Sequence, residues 1–191
     1  MSVNQSKTDS LFDKITLGCK KIFEKKLEDY GAAWRVLRIV SILDQLFIKA
    51  QRIRTIQMNG GKQLVNEIGD DIPSEFKGIL NYGIIGLIQL KHGISGIDYS
   101  VDAFIMDDYI TFVQECKELM QKKNHDYGEA WRDMHQESFV DLIISKIVRL
   151  HQITRNKGMV QVSEKEEAIF KDIVNYSIFA LILIEEGKHS A

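Results

Sequence analysis

Residues 19–52 and 116–149 align without a gap at a shift of 97, and 14 of the 34 positions are identical. A second block, 76–88 against 170–182, aligns at a shift of 94 with 8 of 13 identical. Repetition on this scale means one supersecondary unit used twice, so the second half must fold as the first does. The heart of the match is Asp29-Tyr30-Gly31-Ala32-Ala33-Trp34-Arg35 against Asp126-Tyr127-Gly128-Glu129-Ala130-Trp131-Arg132. The repeat also supplies an internal control. Polar residues present in both copies point to shared structure or shared chemistry, and those present in one copy mark an asymmetric site.

Each copy reads as three helices. The first spans 9–27 and 103–123 and ends near the Asp-Tyr-Gly motif, where a glycine can take the left-handed conformation that stops a helix. The second spans 36–58 and 133–155, and Asn59-Gly60-Gly61 and Asn156-Lys157-Gly158 end it. The third spans 71–91 and 163–186. Asp71 with Pro73 opens one, and a Ser163/Glu166 capping box opens the other. A single proline and the lack of sustained strand-like alternation make the chain all-α. The expectation is a helical bundle of two tandem three-helix repeats, 9–92 and 103–187, joined by 92–102. Neither half obviously closes a core alone, so the two should pack as one globular unit about a pseudo-two-fold axis, with 1–8 and 188–191 as flexible tails.

Hydrophobic residues make up 45% and charged residues 27%, a globular balance. A net charge of −2 gives no surface for a nucleic-acid duplex but leaves small anions open, because those need only local charge. Cys19 and Cys116 fall at matched positions. They could meet across a two-fold axis, or each could fill an apolar slot in a reduced protein. The first ten residues are polar, with no apolar signal-peptide core. The most apolar runs, 79–90 and 173–184, are 12 residues each, short of the roughly 20 that cross a bilayer. The expected setting is cytoplasmic and away from membranes, with a homodimer among the open assembly states.

The second helix carries the first candidate constellation. Ser41, Asp44, Lys49 and Arg52 recur as Ser138, Asp141, Lys146 and Arg149, at offsets 0, +3, +8 and +11. At about 100° per residue these occupy one arc of roughly 140°. Phe139, Val140, Ile143, Ile144, Ile147 and Leu150 take the opposite arc, so one face is core. The polar face reads either as an inter-helix ion network or as a site in which Asp holds a divalent metal and Lys and Arg hold phosphate oxygens. Glu164, Glu167, Asp172 and Asn175 on the third helix repeat these offsets. Three carboxylates on one strip call for Lys146 and Arg149, or Mg²⁺, to neutralise them. For Glu164 a solvated first turn that suits the helix dipole is the better reading, whereas Asp172 lies two turns in, directly before the apolar Ile173-Val174, where an unpaired carboxylate would be costly. Copy 1 keeps Asn81 but has Pro73, Gly78 and Ala32 in place of Glu167, Asp172 and Glu129, so an acid-rich metal centre would belong to copy 2. Copy 1 would then be a scaffold, or would lend its basic residues Lys49 and Arg52 to a shared cleft, with Asp44 beside them as a ligand-binding candidate. In the motif, Tyr127 and Trp131 with Arg132 could stack on a nucleobase, or could anchor a loop to the core; Asp126 could cap a helix or point into the cleft. His125 and His135 match no triad or zinc spacing.

The pattern Lys-Lys-x-x-Asp-Tyr-Gly-x-Ala-Trp-Arg, at 25–35 and 122–132, followed by Ser-x-x-Asp-x4-Lys-x2-Arg and then Asn-Tyr, resembles the nucleotide modification associated domain 1 family. That resemblance covers almost the whole chain as two copies and implies a link to nucleotide metabolism. More distantly the layout is similar to the all-α NTP pyrophosphatases of the MazG-like and dimeric dUTPase group, which bind Mg²⁺ between carboxylate-bearing helices. Their paired Glu-x-x-Glu and Glu-x-x-Asp pattern is met only in part, by Glu164 and Glu167. The expectation is a Mg²⁺-dependent nucleotide phosphoanhydride hydrolase. Asp141, Glu167 and Asp172 would hold metal, Lys146 and Arg149 would stabilise phosphate charge, and Asn175 would orient a ligand or a metal-bound water. The alternatives are a non-catalytic nucleotide-binding module and a structural protein with a buried Asp/Lys/Arg network.

Overall fold

A computed structural model describes residues 3–60, 71–96, 102–156 and 165–190, with side chains from Ser6 onward. Among these residues there are six α-helices and no strand: α1 (Val3–Tyr30), α2 (Ile39–Met58), α3 (Ile72–His92), α4 (Phe104–Tyr127), α5 (Gln136–Arg155) and α6 (Glu166–Glu185). Short 3-10 turns at Ala33–Val36 and Ala130–Asp133 join the first and second helices of each repeat. The all-α bundle follows the pattern read from the sequence.

The first helices show why. Phe12, Thr16, Cys19, Phe23 and Leu27 form a buried stripe along α1, at the three- and four-residue spacing of one helix face. Ile105, Tyr109, Phe112, Cys116 and Met120 do the same along α4. Both helices run through the Asp-Tyr of the motif, further than the sequence suggests, because the glycine is the stop. Gly31 has φ 60° and Gly128 φ 62°, and each donates its N–H at 2.9 Å to the carbonyl four residues back, on Leu27 and Asn124. A residue with a Cβ pays a steric cost in that left-handed conformation. At the start of α3, Asp71 accepts from the Ser74 N–H at 2.8 Å, with Pro73 in the first turn. Of the expected Ser163/Glu166 capping box, Ser163 lies outside the described residues, as does Glu164.

The centre of the molecule is the pairing of α3 with α6, the most extensive helix contact. Both are apolar nearly all round, as a helix enclosed by others must be. They can approach because α3 carries glycine at the crossing. A Cβ on Gly83 would lie 2.6 Å from Val174 Cγ2, and one on Gly86 would overlap the Phe170 ring. Helix α2 packs on α3, α5 on α6, and α2 on α5. The first helices cross between repeats: α1 touches α6 as well as α3, and α4 touches α3 as well as α6. Each half therefore completes the other's core. Cys19 and Cys116 are both free and fully buried. Burial pushes the Cys19 thiol up to about 12, against the pull of Lys77, so it stays protonated and unreactive at neutral pH.

The ends are tied down where they are described. The expected tail at 1–8 is helical from Val3, and Thr8 is fully buried. The expected tail at 188–191 folds back. The Met134 carbonyl lies 3.0 Å from His189 Nε2, and the Ser190 carbonyl accepts from Gln136 Nε2 at 2.8 Å. Thr8 meets Glu129 and Arg132 of the second motif, and His189 and Ser190 cover polar groups just after it.

Candidate ligand pocket in the first repeat

The Ser-Asp-Lys-Arg face of the second helix does not act as one unit, because an arc of about 140° is wide enough to meet two neighbours. Its Asp edge meets the other repeat's second helix. Asp141 Oδ1 is 2.9 Å from Arg54 Nη2, and Asp44 Oδ1 is 3.6 Å from His151 Nε2. Residues 54 and 151 are repeat counterparts, so the two contacts are reciprocal and tie α2 to α5. Both acids are exposed, at the seam between α2 and α5. The Lys edge meets the third helix of its own repeat. There Lys146 Nζ lies 2.8 Å from Asp172 Oδ2, and Lys123 Nζ lies 2.5 Å from Asp172 Oδ1. Arg149 is exposed one turn further along α5.

Repeat 2 is thus internally neutralised. Asp172, buried as the sequence suggests, is clamped by two lysines. Glu167 pairs with Lys171 at 2.5 Å, and Lys171 also meets Glu115 at 2.8 Å. Those ion pairs hold the Lys171 ammonium above its ordinary value, although burial pulls the other way. Asp141, Glu167 and Asp172 therefore do not converge as the expected metal set. Among the described residues no group of three His, Cys, Asp or Glu side chains is placed to hold a metal ion.

The second motif is likewise committed to structure. Trp131 is buried, stacks on Phe179 with ring centroids 4.3 Å apart, and donates its indole N–H to Asn124 Oδ1 at 3.0 Å. Arg132 binds Glu129 and Glu186, each at 2.7 Å, and Thr8 Oγ1 at 2.6 Å, joining α6 to the start of α1. Tyr127 and Asp126 are exposed, the latter beside His125. Asn175 is buried and donates to the Cys116 carbonyl at 3.1 Å, as Asn81 does to the Cys19 carbonyl at 3.2 Å. Glu167, with Glu115, Lys122 and Lys171, lines an open cleft of about 360 Å³ on repeat 2 that has no aromatic floor among its described lining.

Repeat 1 does have such a cavity. A pocket of about 640 Å³ lies between the end of α1, the middle of α2 and the start of α3. Phe23, Leu27, Trp34 and Ile85 form apolar walls, and Tyr30, Tyr82, Gln45, Ser74 and Asn81 add polar edges. Lys26, Lys49 and Lys77 line it as well. Lys49 and Arg52, expected as ligand-binding residues, share the buried Glu75, at 3.1 and 3.0 Å. Lys26 and Lys77 form no ion pair among the described residues.

The pocket exists because repeat 1 lacks what fills repeat 2. Gly78 stands where repeat 2 has Asp172, and the atoms nearest to a Cβ there would be those at the flexible end of Lys49, at 2.8–3.0 Å. Ile85 stands where Phe179 covers Trp131. Leu27 stands where Asn124 accepts the Trp131 N–H, and the Trp34 N–H is accordingly buried without an acceptor. The three pocket lysines are the counterparts of Lys123, Lys146 and Lys171. Their acids in repeat 2, Asp172, Glu115 and Glu167, are replaced in repeat 1 by Gly78, Gly18 and Pro73. The sequence held this signal: Lys26, Lys49 and Lys77 recur in repeat 2, whereas Asp172, Glu115 and Glu167 have no acidic counterpart in repeat 1. Reading the acids as the site, instead of the lysines around Gly78, missed Lys26, Lys77, Tyr82 and Gly78.

The model of the nucleotide modification associated domain 1 family matches residues 26–90 and 123–184, together more than half of the chain. The two segments coincide with the two repeats. No curated protein and no solved structure matches the chain.

Proposed function

The chain belongs to the nucleotide modification associated domain 1 family, and from that premise we propose that the pocket of repeat 1 binds a nucleotide. The carrying observation is one cavity in which three lysines stand beside Tyr30, Trp34 and Tyr82. Aromatic faces suit a base, and lysines suit phosphate oxygens as mobile point charges. A volume of about 640 Å³ is in the usual range for small-molecule sites. Binding without hydrolysis is the preferred reading, because the described residues that line the pocket include no carboxylate. Glu75 sits behind Lys49 and Arg52 and orients those cations.

The test is a thermal-shift panel of nucleosides and nucleotides, with and without Mg²⁺, on the full chain and on Lys26→Ala and Lys77→Ala. Binding to the native state raises the melting temperature by mass action. One class of nucleotide should raise it, each lysine variant should weaken that rise, and no phosphate should be released. A rise that both variants retain would put the ligand elsewhere, and release of phosphate would favour the hydrolase reading.

A further inference from the structure

The lysines of repeat 2 show what their counterparts in repeat 1 are built to hold. In repeat 2 one compact anion, the Asp172 carboxylate, gives one oxygen to Lys123 and the other to Lys146, at 2.5 and 2.8 Å. Repeat 1 keeps both cations as Lys26 and Lys49 and deletes the anion at Gly78. It keeps a third, Lys77, whose counterpart Lys171 is neutralised by two acids that repeat 1 also lacks. The other two glycines of α3 are filled by the protein itself: Gly83 receives Val174, and Gly86 receives Phe170. The space above Gly78 is taken by the flexible end of Lys49, whose atoms lie 2.8–3.0 Å from where a Cβ would stand, and that end lines the pocket and can swing aside for a ligand.

We propose that this space is a phosphate site, in which a phosphate monoester takes the place that the Asp172 carboxylate takes in repeat 2. The ligand class is then a nucleoside monophosphate; this rests on the pocket being the nucleotide site. A monoester presents three terminal oxygens to three ammonium groups. Beyond those lysines the described lining has no further cation to hold a second or third phosphate, and is mainly apolar and aromatic.

The experiment is calorimetric titration of the full chain with nucleoside 5′-monophosphates, the matching nucleosides and triphosphates, ribose 5-phosphate and inorganic phosphate. It is repeated on Gly78→Asp, which installs the carboxylate of repeat 2, and on Lys26→Ala, an exposed position whose change leaves the core intact. A monophosphate should bind wild type at least tenfold more tightly than its nucleoside or triphosphate. Inorganic phosphate should compete, and ribose 5-phosphate should bind more weakly for want of a base. Gly78→Asp and Lys26→Ala should each lose at least tenfold. If Gly78→Asp binds as wild type does, or the triphosphate binds best, the phosphate is not in the carboxylate's place, although the pocket remains the nucleotide site. If nothing in the panel binds wild type, the pocket reading itself fails. A second arm does not depend on the base. Asp172→Gly, which removes the carboxylate that Lys123 and Lys146 share, should melt lower than wild type and regain several degrees in inorganic phosphate. Absence of that rescue overturns the exchange of carboxylate for phosphate.

Discussion

The start of α6 and the start of α3 derive from the same repeated segment and solve the same electrostatic problem in opposite ways. Each faces two lysines, from the first and second helices of its repeat. Repeat 2 answers with a buried carboxylate, Asp172, and closes. Repeat 1 answers with Gly78, moves its acid one turn earlier to Glu75, and stays open. The lesson is that a binding site can arise by subtraction. The cations are part of the common framework, and removing their internal partners turns a structural ion cluster into a place for an external anion.

The largest effect should come from breaking the closed side. Asp172→Ala removes the carboxylate that the nearly buried Lys146 meets at 2.8 Å, and loss of one partner of a buried pair typically costs about 3–5 kcal/mol. Lys123 is half exposed, so Lys123→Ala should cost under about 1 kcal/mol. Urea unfolding of both variants checks the ranking. Equal losses would mean that Asp172 is not the buried hub of that cluster.

A second contrast sits deeper. Tyr109 Oη donates to Asn81 Oδ1 at 2.7 Å, whereas the counterpart Asn175 Oδ1 is buried without a partner. The reason is the repeat counterpart of Tyr109, Phe12, which has no hydroxyl. Tyr109→Phe should therefore destabilise by about 1–3 kcal/mol, the cost of an unsatisfied buried acceptor. Phe12→Tyr should stabilise by roughly 1 kcal/mol if the repeats correspond at this depth. Chemical denaturation of the two variants in parallel is the check, and a loss for Phe12→Tyr would show that position 12 has no room for the hydroxyl.

Much of this was legible in the sequence. The repeat, the glycine stops after Asp-Tyr and the two 12-residue apolar runs specify six helices with α3 and α6 innermost. Helical phase also placed Asp172 correctly as a buried acid needing cations. What the phase could not show was which neighbour each edge of an arc would meet. Asp44 and Asp141 share an arc with Lys49 and Lys146, yet they serve the α2–α5 seam. Nor could spacing show that Lys123, from another helix, would complete the clamp on Asp172. The pocket was hidden for a further reason: it is defined by side chains that are missing, Gly78 and Ile85 against Asp172 and Phe179.

That absence can be reversed. Ile85→Phe would give Trp34 the stacking partner that Phe179 gives Trp131. An added aromatic pair contributes about 0.5–1.5 kcal/mol beyond burial, so the fold should be unharmed or slightly firmer. The pocket should fill, and nucleotide affinity should fall at least tenfold, about 1.4 kcal/mol. Titration calorimetry alongside a melting curve separates the two effects. Unchanged affinity would place the base away from Trp34 and Ile85.

The smallest effect concerns the two outer seams, which match in place and invert in polarity. At the end of α3, Lys91 and His92 bind Asp108 of α4 at 2.6 and 2.5 Å. At the end of α6 the charges are exchanged, and Glu186 binds Lys7 and Arg132 at 2.8 and 2.7 Å. Burial alone would raise both carboxyls, but the bonds from these cations outweigh it and hold Asp108 and Glu186 below the ordinary carboxylate range. A depressed folded pKa means that the unfolded chain binds the proton first. The stabilisation is therefore present above the unfolded pKa of about 4 and is lost as pH falls through the lower folded values. Because Lys91 is half exposed, the Asp108 seam should contribute only about 1 kcal/mol. The difference in unfolding free energy between wild type and Asp108→Asn, or Glu186→Gln, should be largest at neutral pH and shrink below about pH 4. A difference that persists undiminished into acid would mean that these carboxylates hold the seams by shape and hydrogen bonding, with no contribution from charge.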